Sequence, residues 1–185
     1  MYDYVVDKNI FPSFVCSCIP QIDMMAQLEE AYDIKRLYRS ENLSNEGGYH
    51  SPKFVGTKFL KLRDTVEEFC NDLLQKKGLG LHVSNIEYWC NINKSYNYNV
   101  MHSHGRADLI GIYYVQLPPD SGNLVIMRND GSQYCDLYEN RADMLEYIIE
   151  PDAGRLYVLP GHLWHYVTGS DSVRDRVSVS FNIFT

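Results

Sequence analysis

The residues whose types and spacing could do chemistry lie in the C-terminal half of the chain. His102 and His104 stand one residue apart in MHSHGRADLIGIYYVQLP, just before a run that reads as a buried strand. On an extended strand, residues i and i+2 point to the same face with their Cα atoms roughly 7 Å apart, so both imidazoles can converge on one ion. Two histidines on an exposed strand face would give the same spacing, so the pair needs support from elsewhere. That support comes from AGRLYVLPGHLWHYVTGSDSVRDRVSVSFNIF, where a strand over 156–159 is followed by His165 on a short strand and then by a last strand opened by Arg176. In this last strand Val177, Val179, Phe181 and Ile183 share one face, and Arg176, Ser178, Ser180 and Asn182 share the other. In a half-buried sheet the polar face would look at water. In a barrel whose outside packs under helices it would line the interior, and Arg176 and Ser178 would project together into a cavity. A guanidinium fork beside a hydroxyl is suited to gripping one carboxylate through parallel charge-assisted hydrogen bonds.

The elements that must position these groups are legible from periodicity. Asp23 to about Leu37 carries Met24, Met25, Leu28, Ala31 and Tyr32 at helical spacing, with Asp23 available as N-cap. A second helix places Phe59, Leu62, Val66, Phe69, Cys70, Leu73 and Leu74 on one stripe, and it stops at Lys76-Lys77-Gly78, a cationic last turn followed by a glycine. From Leu81 onward the period changes to two, which predicts strands near 82–93, 96–103, 109–117, 122–128, 145–150, 154–159, 164–168 and 176–184. LPPDSGN is a turn punctuated by Pro119 and Gly122. The polar segment Arg128 to Asp143 reads as a surface loop or a lid. The fold class is therefore mainly β with N-terminal helices.

Length and composition bound the function. The chain's 185 residues, with no internal repeat or linker, suit a single domain. A formal net charge of −7 argues against an extended nucleic-acid surface, which needs clustered Lys and Arg. No apolar run approaches the roughly 20 residues that span a bilayer, and the start MYDYVVDKNIF lacks the basic and apolar regions of a signal peptide. Five cysteines, an odd number, argue for free thiols in a reducing, cytoplasmic setting, with Cys16 and Cys18 as small buried hydrophobes. The sequence says nothing of oligomeric state.

The pattern of His102-x-His104, a further histidine roughly sixty residues on, and Arg176-x-Ser178 about ten residues after that resembles the 2-oxoglutarate- and Fe(II)-dependent oxygenase superfamily. It is similar to the prolyl-4-hydroxylase-like branch and to small 2OG-Fe(II) oxygenases of phage and bacterial genomes. The resemblance covers about Tyr88 to Phe184 and, more loosely, SNEGGYHS upstream. It implies a double-stranded β-helix core (jelly-roll, cupin-like) over about 81–185 behind a helical preface over about 20–78, the whole of 1–185 forming one oxygenase domain. It further implies Fe(II), 2-oxoglutarate and O2 as cofactor and cosubstrates, and hydroxylation of a C–H bond in an undefined substrate with release of succinate and CO2. The location it implies is cytoplasmic, the host cytoplasm if phage-encoded.

On the same footing, His102, His104 and His165 would hold the metal, and Arg176, Ser178 and Tyr114 would bind the cosubstrate's far carboxylate, with Tyr113 facing outward. Trp89, Asn91 and Asn93 would line the substrate side. The departure is at His104, where the superfamily usually has a carboxylate; Asp108 is the alternative second ligand, and His162 competes with His165. Two other readings stay open. A cupin-like three-histidine metalloenzyme without 2-oxoglutarate explains His104 but leaves Arg176 and Ser178 without a task. A non-catalytic β-sandwich would carry the histidines on its surface.

Overall fold

The computed structural model describes residues 13–128 and 146–185, so the segment proposed as loop or lid lies outside the described residues from 129 on. Helix α1 runs over Met24–Leu37 and begins where the Asp23 carboxylate accepts hydrogen bonds from the backbone N–H groups of Met25 and Ala26, at 3.0 and 3.2 Å. Helix α2 runs over Leu60–Lys76 and ends against Gly78, whose φ of 67° is the left-handed conformation a glycine adopts without Cβ strain.

Among the described residues eleven strands follow one another: β1 Cys16–Cys18, β2 Asn45–Glu46, β3 Tyr49–His50, β4 Asn85–Asn93, β5 Tyr98–His102, β6 Leu109–Gln116, β7 Leu124–Met127, β8 Glu146–Ile149, β9 Leu156–Pro160, β10 His165–Val167 and β11 Arg176–Phe184. They form two antiparallel sheets, β1-β9-β6-β11-β4-β3 and β2-β5-β10-β7-β8. From β4 to β11 the chain passes back and forth between the sheets, the winding of a double-stranded β-helix. Every strand predicted from period-two alternation is present. The three short strands β1, β2 and β3 were not expected, because two or three residues carry no periodicity to read.

The alternation in β11 resolves the question raised by its polar face. Val177, Val179, Phe181 and Ile183 are fully buried with Leu62, Val66 and Cys70 of α2 and Ala31 and Ile34 of α1, so the helices cover the outer face of the six-stranded sheet. Tyr113 belongs to this outer core, while Ile110, Ile112 and Tyr114 turn inward and pack with Leu124, Ile126 and Leu159 between the sheets. The polar face of β11 therefore lines the interior.

Two local devices shape that interior. In β5, His102 pairs with His165 whereas Asn99 pairs with Val167, so three residues on one strand match two on the other. This bulge turns both Asn99 and His102 inward, although their separation is odd. The second device is the hairpin of β2 and β3, which pairs with β5 through Asn45 and with β4 through Tyr49 and thus joins one sheet to the other. The Asn45 amide holds it closed: Nδ2 donates to Asn93 Oδ1 at 2.9 Å and to the Tyr49 carbonyl at 3.1 Å, and Oδ1 accepts from Asn93 Nδ2 at 3.0 Å. A Cβ at Gly48 would overlap Asn45 Oδ1, which explains the glycine. Among the described residues no helix is long and apolar enough to cross a membrane.

Candidate functional site

His102 is the last residue of β5, His165 the first of β10, and the two face each other in register. His104 follows two residues later and is anchored to the turn before β10. Its backbone N–H donates to the Gly161 carbonyl at 2.9 Å, and the Gly161 N–H donates to the Asp108 carbonyl at 3.0 Å. The three rings come together with one ring nitrogen from each within 4.8 Å of the others. Each Nδ1 is already engaged: His102 with the Val100 carbonyl at 2.7 Å, His165 with the Leu163 carbonyl at 2.9 Å, and His104 with Asn182 Oδ1 at 2.6 Å. The Nε2 atoms are the ones left to turn toward a common centre.

Burial, reinforced by the neighbouring His102 ring, lowers the pKa of His165 to about 3 and of His104 to about 4, and burial lowers that of His102 as well. All three are thus neutral at pH 7, the state in which imidazole donates a lone pair to a metal. Three neutral nitrogen donors fit a first-row transition metal such as iron.

Gly161 carries the close approach between the two loops. A Cβ there would overlap the Ala107 carbonyl oxygen, a backbone atom that cannot swing aside. Gly161→Ala is therefore expected to destabilise the fold by about 1–3 kcal/mol, and urea unfolding measures it.

Arg176 lines the same cavity, only 2 % exposed. Its Nη1 donates to the Ser121 carbonyl at 2.9 Å and its Nη2 to Asn99 Oδ1 at 3.4 Å. Among the described residues no carboxylate pairs with it, and burial pulls its pKa below the ordinary arginine value. Ser178 of β11 pairs directly with Tyr114 of β6, and both line the cavity. Burial pushes the Tyr114 phenol up to about 12 against the pull of Arg176, so it keeps its proton and can donate. The cavity's free volume is ≈ 40 Å³, room for about three waters, so a larger anion enters only as the lining side chains move.

Of the other residues singled out from sequence, Trp89 lies between two imidazoles, stacked on His104 with ring centres 5.8 Å apart and on His50 at 5.5 Å. Asn91 lines the cavity and donates to Ser180 Oγ at 3.2 Å. Asn93 shares their face but does not line the cavity; its amide is closed on Asn45 by two hydrogen bonds, whereas Asn91 Oδ1 accepts one longer bond from Asn45 Nδ2 at 3.3 Å. The Asp108 carboxylate accepts from the Thr185 N–H at 2.8 Å and hydroxyl at 3.1 Å and is not part of the histidine cluster. His162 is exposed in the turn before β10. Sequence reasoning missed Asn99, Gly161 and the Asn182 contact with His104; only Asn182 carried a signal, its place on the inward face of β11.

A family model described as "Putative 2OG-Fe(II) oxygenase" matches residues 87–182, more than half of the chain. No curated protein matches its sequence significantly. Among solved structures, a prolyl-4-hydroxylase from Pseudomonas putida superimposes with a TM-score of 0.63 at 17% identity, over 92% of this chain and 91% of that one. A prolyl hydroxylase from Trichoplax adhaerens, solved with a peptide of the hypoxia inducible factor oxygen degradation domain, gives 0.63 at 13% identity over 92% and 83%. The viral collagen prolyl hydroxylase of Paramecium Bursaria Chlorella virus-1, solved with 2OG, gives 0.59 at 9% identity over 91% and 94%. At such identities the likeness is one of fold.

Proposed function

The chain belongs to the 2OG-Fe(II) oxygenase family, and from that premise we propose that His102, His104 and His165 hold the Fe(II), that Arg176, Ser178 and Tyr114 receive the far carboxylate of 2-oxoglutarate, and that the reaction is hydroxylation of a C–H bond. The observation that carries this assignment is a buried guanidinium with no carboxylate partner among the described residues, in the same cavity as three neutral imidazoles. A buried charge is costly unless paired, and a dicarboxylate cosubstrate supplies the missing partner. The cupin-like reading leaves that charge unanswered.

Each group has a defined task. The three histidines offer nitrogen lone pairs from one side. Arg176 grips a carboxylate and fixes how far along the cavity the cosubstrate lies, with the Tyr114 O–H and Ser178 hydroxyl as further donors. Leu124, Ile110 and Ile112 close part of the walls with hydrocarbon. When bound, Fe(II) supplies the redox chemistry that couples decarboxylation of 2-oxoglutarate to oxidation of a substrate. Trp89 and Asn91 are the side chains we place nearest the substrate. A cytoplasmic location accords with Cys16, Cys18, Cys70 and Cys90 all being free thiols.

Anaerobic addition of Fe(II) and then 2-oxoglutarate to the purified protein is expected to produce a weak visible charge-transfer band, and admission of O2 to release succinate. Absence of the band together with absence of succinate would overturn the assignment, and succinate-free turnover of a substrate would favour the cupin-like alternative.

A further inference from the structure

The three histidines are not held alike. His102 and His165 each direct Nδ1 at the backbone carbonyl two residues before them, a contact no side-chain substitution can remove. His104 instead meets a side chain, Asn182, on the inward face of β11. Asn182 Nδ2 in turn donates to Glu87 Oε2 at 3.3 Å, and Lys53 Nζ donates to the same oxygen at 2.8 Å. Glu87 and Asn182 are cross-strand partners in the β4–β11 register, so the sheet itself keeps them together.

This order of groups has a direction. An ionised carboxylate only accepts hydrogen bonds, so the amide of Asn182 must turn its NH2 toward Glu87 and its oxygen toward His104. An oxygen facing His104 accepts only from a protonated Nδ1, and this leaves the lone pair of a neutral ring on Nε2. Free histidine has no such constraint. The structure thus sets the orientation of His104 from outside the cavity, at a carboxylate that touches no other member of the cluster.

We propose that Asn182 and Glu87 are positioning residues, a carboxylate–amide relay that fixes His104 in the Nδ1–H tautomer and holds its Nε2 ready for a metal. The inference rests on the reading that the three histidines form the metal site. It also gives the unusual second position a rationale. Where the superfamily resemblance leads one to expect a carboxylate ligand, this chain has an imidazole backed by an amide, and the carboxylate stands one residue further out.

The test is made on the full chain. Long-range ¹H–¹⁵N correlation spectra of the metal-free protein report the tautomer of each histidine, with His102 and His165 as internal references because their carbonyl partners are unchanged. In the wild type His104 is expected as Nδ1–H. In Asn182→Leu the Nδ1–H form should give way to Nε2–H, and in Glu87→Gln, where the residue 87 amide can also donate and frees Asn182 to flip, the two tautomers should mix. Calorimetric titration with Co(II) should show affinity falling about 10- to 100-fold in Asn182→Leu and by a smaller factor in Glu87→Gln. Should Asn182→Leu fail to fold, Glu87→Gln carries the test, since Glu87 is partly exposed at the cavity's outside. The proposal is overturned if His104 is Nε2–H in the wild type, or if its tautomer and the Co(II) affinity are unchanged in the folded variants. A wild type that binds no Co(II) would overturn the metal-site reading, and the tautomer spectra would still decide whether the relay orients the ring.

Discussion

Replacing Arg176 by methionine is expected to weaken 2-oxoglutarate binding by about 30-fold to a few thousand-fold, the range for truncating one partner of a buried charge pair, while Co(II) affinity stays within about threefold. The asymmetry follows from position: Arg176 contacts Ser121 and Asn99 and none of the three histidines. Stability should move the other way or not at all. Among the described residues the guanidinium is buried on two neutral acceptors without a counter-ion, and replacing a desolvated charge by an apolar side chain of similar length is often neutral or stabilising. Methionine is preferred to alanine because it fills the space. Arg176→Lys keeps the charge but loses the fork and so should recover only part of the affinity. Calorimetry with 2-oxoglutarate on the Co(II)-loaded protein, together with urea unfolding of the ligand-free protein, reads both effects. Equal loss of metal and cosubstrate would mean that the variant perturbs the whole cavity, and unchanged 2-oxoglutarate affinity would remove Arg176 from the binding site.

The inward face of β11 was legible because nine residues of strict alternation between two helix-covered neighbours leave only one way for the strand to sit. The structure turns Tyr114 inward and Tyr113 under the helices, an arrangement that the superfamily resemblance, not the alternation, implied. His102 and His104 share a side of the cavity, as i and i+2 spacing suggests. What alternation could not supply is everything that breaks it. The β5 bulge puts Asn99 on the same side as His102, three positions away, and no sequence period encodes that. The contact of Gly161 with the His104 loop joins segments more than fifty residues apart through backbone atoms, which carry no side-chain signal. Asn93 looked equivalent to Asn91 along the strand, but the β2–β3 hairpin, too short to show a period, covers it with Asn45. Nor does any period show that the Asp108 carboxylate, the alternative to His104 by sequence, accepts from the Thr185 N–H. The sequence thus reports side-chain periodicity well and says little about where backbone meets backbone.

The same desolvation that keeps the imidazoles neutral predicts how the protein responds to acid. In the unfolded chain each histidine titrates near 6.5, whereas in the folded protein His104 titrates at about 4 and His165 at about 3, with His102 shifted in the same direction. Above pH 6.5 both states are neutral and the histidines contribute no pH dependence. As pH falls below 6.5 the unfolded state takes up protons that the folded state refuses, so the metal-free protein loses stability, on the order of 1 kcal/mol per pH unit for each histidine, until the folded-state values are reached. Glu87 acts in a different window: Lys53 and Asn182 hold its carboxyl below the usual range, so its contribution is present above about pH 4.5 and is lost only below it. Urea unfolding of chelator-treated protein between pH 7.5 and 5 therefore reads these histidines together with His50, whose pKa burial also lowers, and His165→Leu should flatten the slope by about one proton. Metal binding gives the converse. Because His104 and His165 need no deprotonation across this range, Co(II) affinity should fall less steeply from pH 7.5 to 5 than at a solvated three-histidine site, where all three rings take up protons below 6.5. A sharp fall in affinity near pH 6.5 would show that these rings are open to water in solution and would remove the pre-set neutral donor array on which the assignment of the metal site depends.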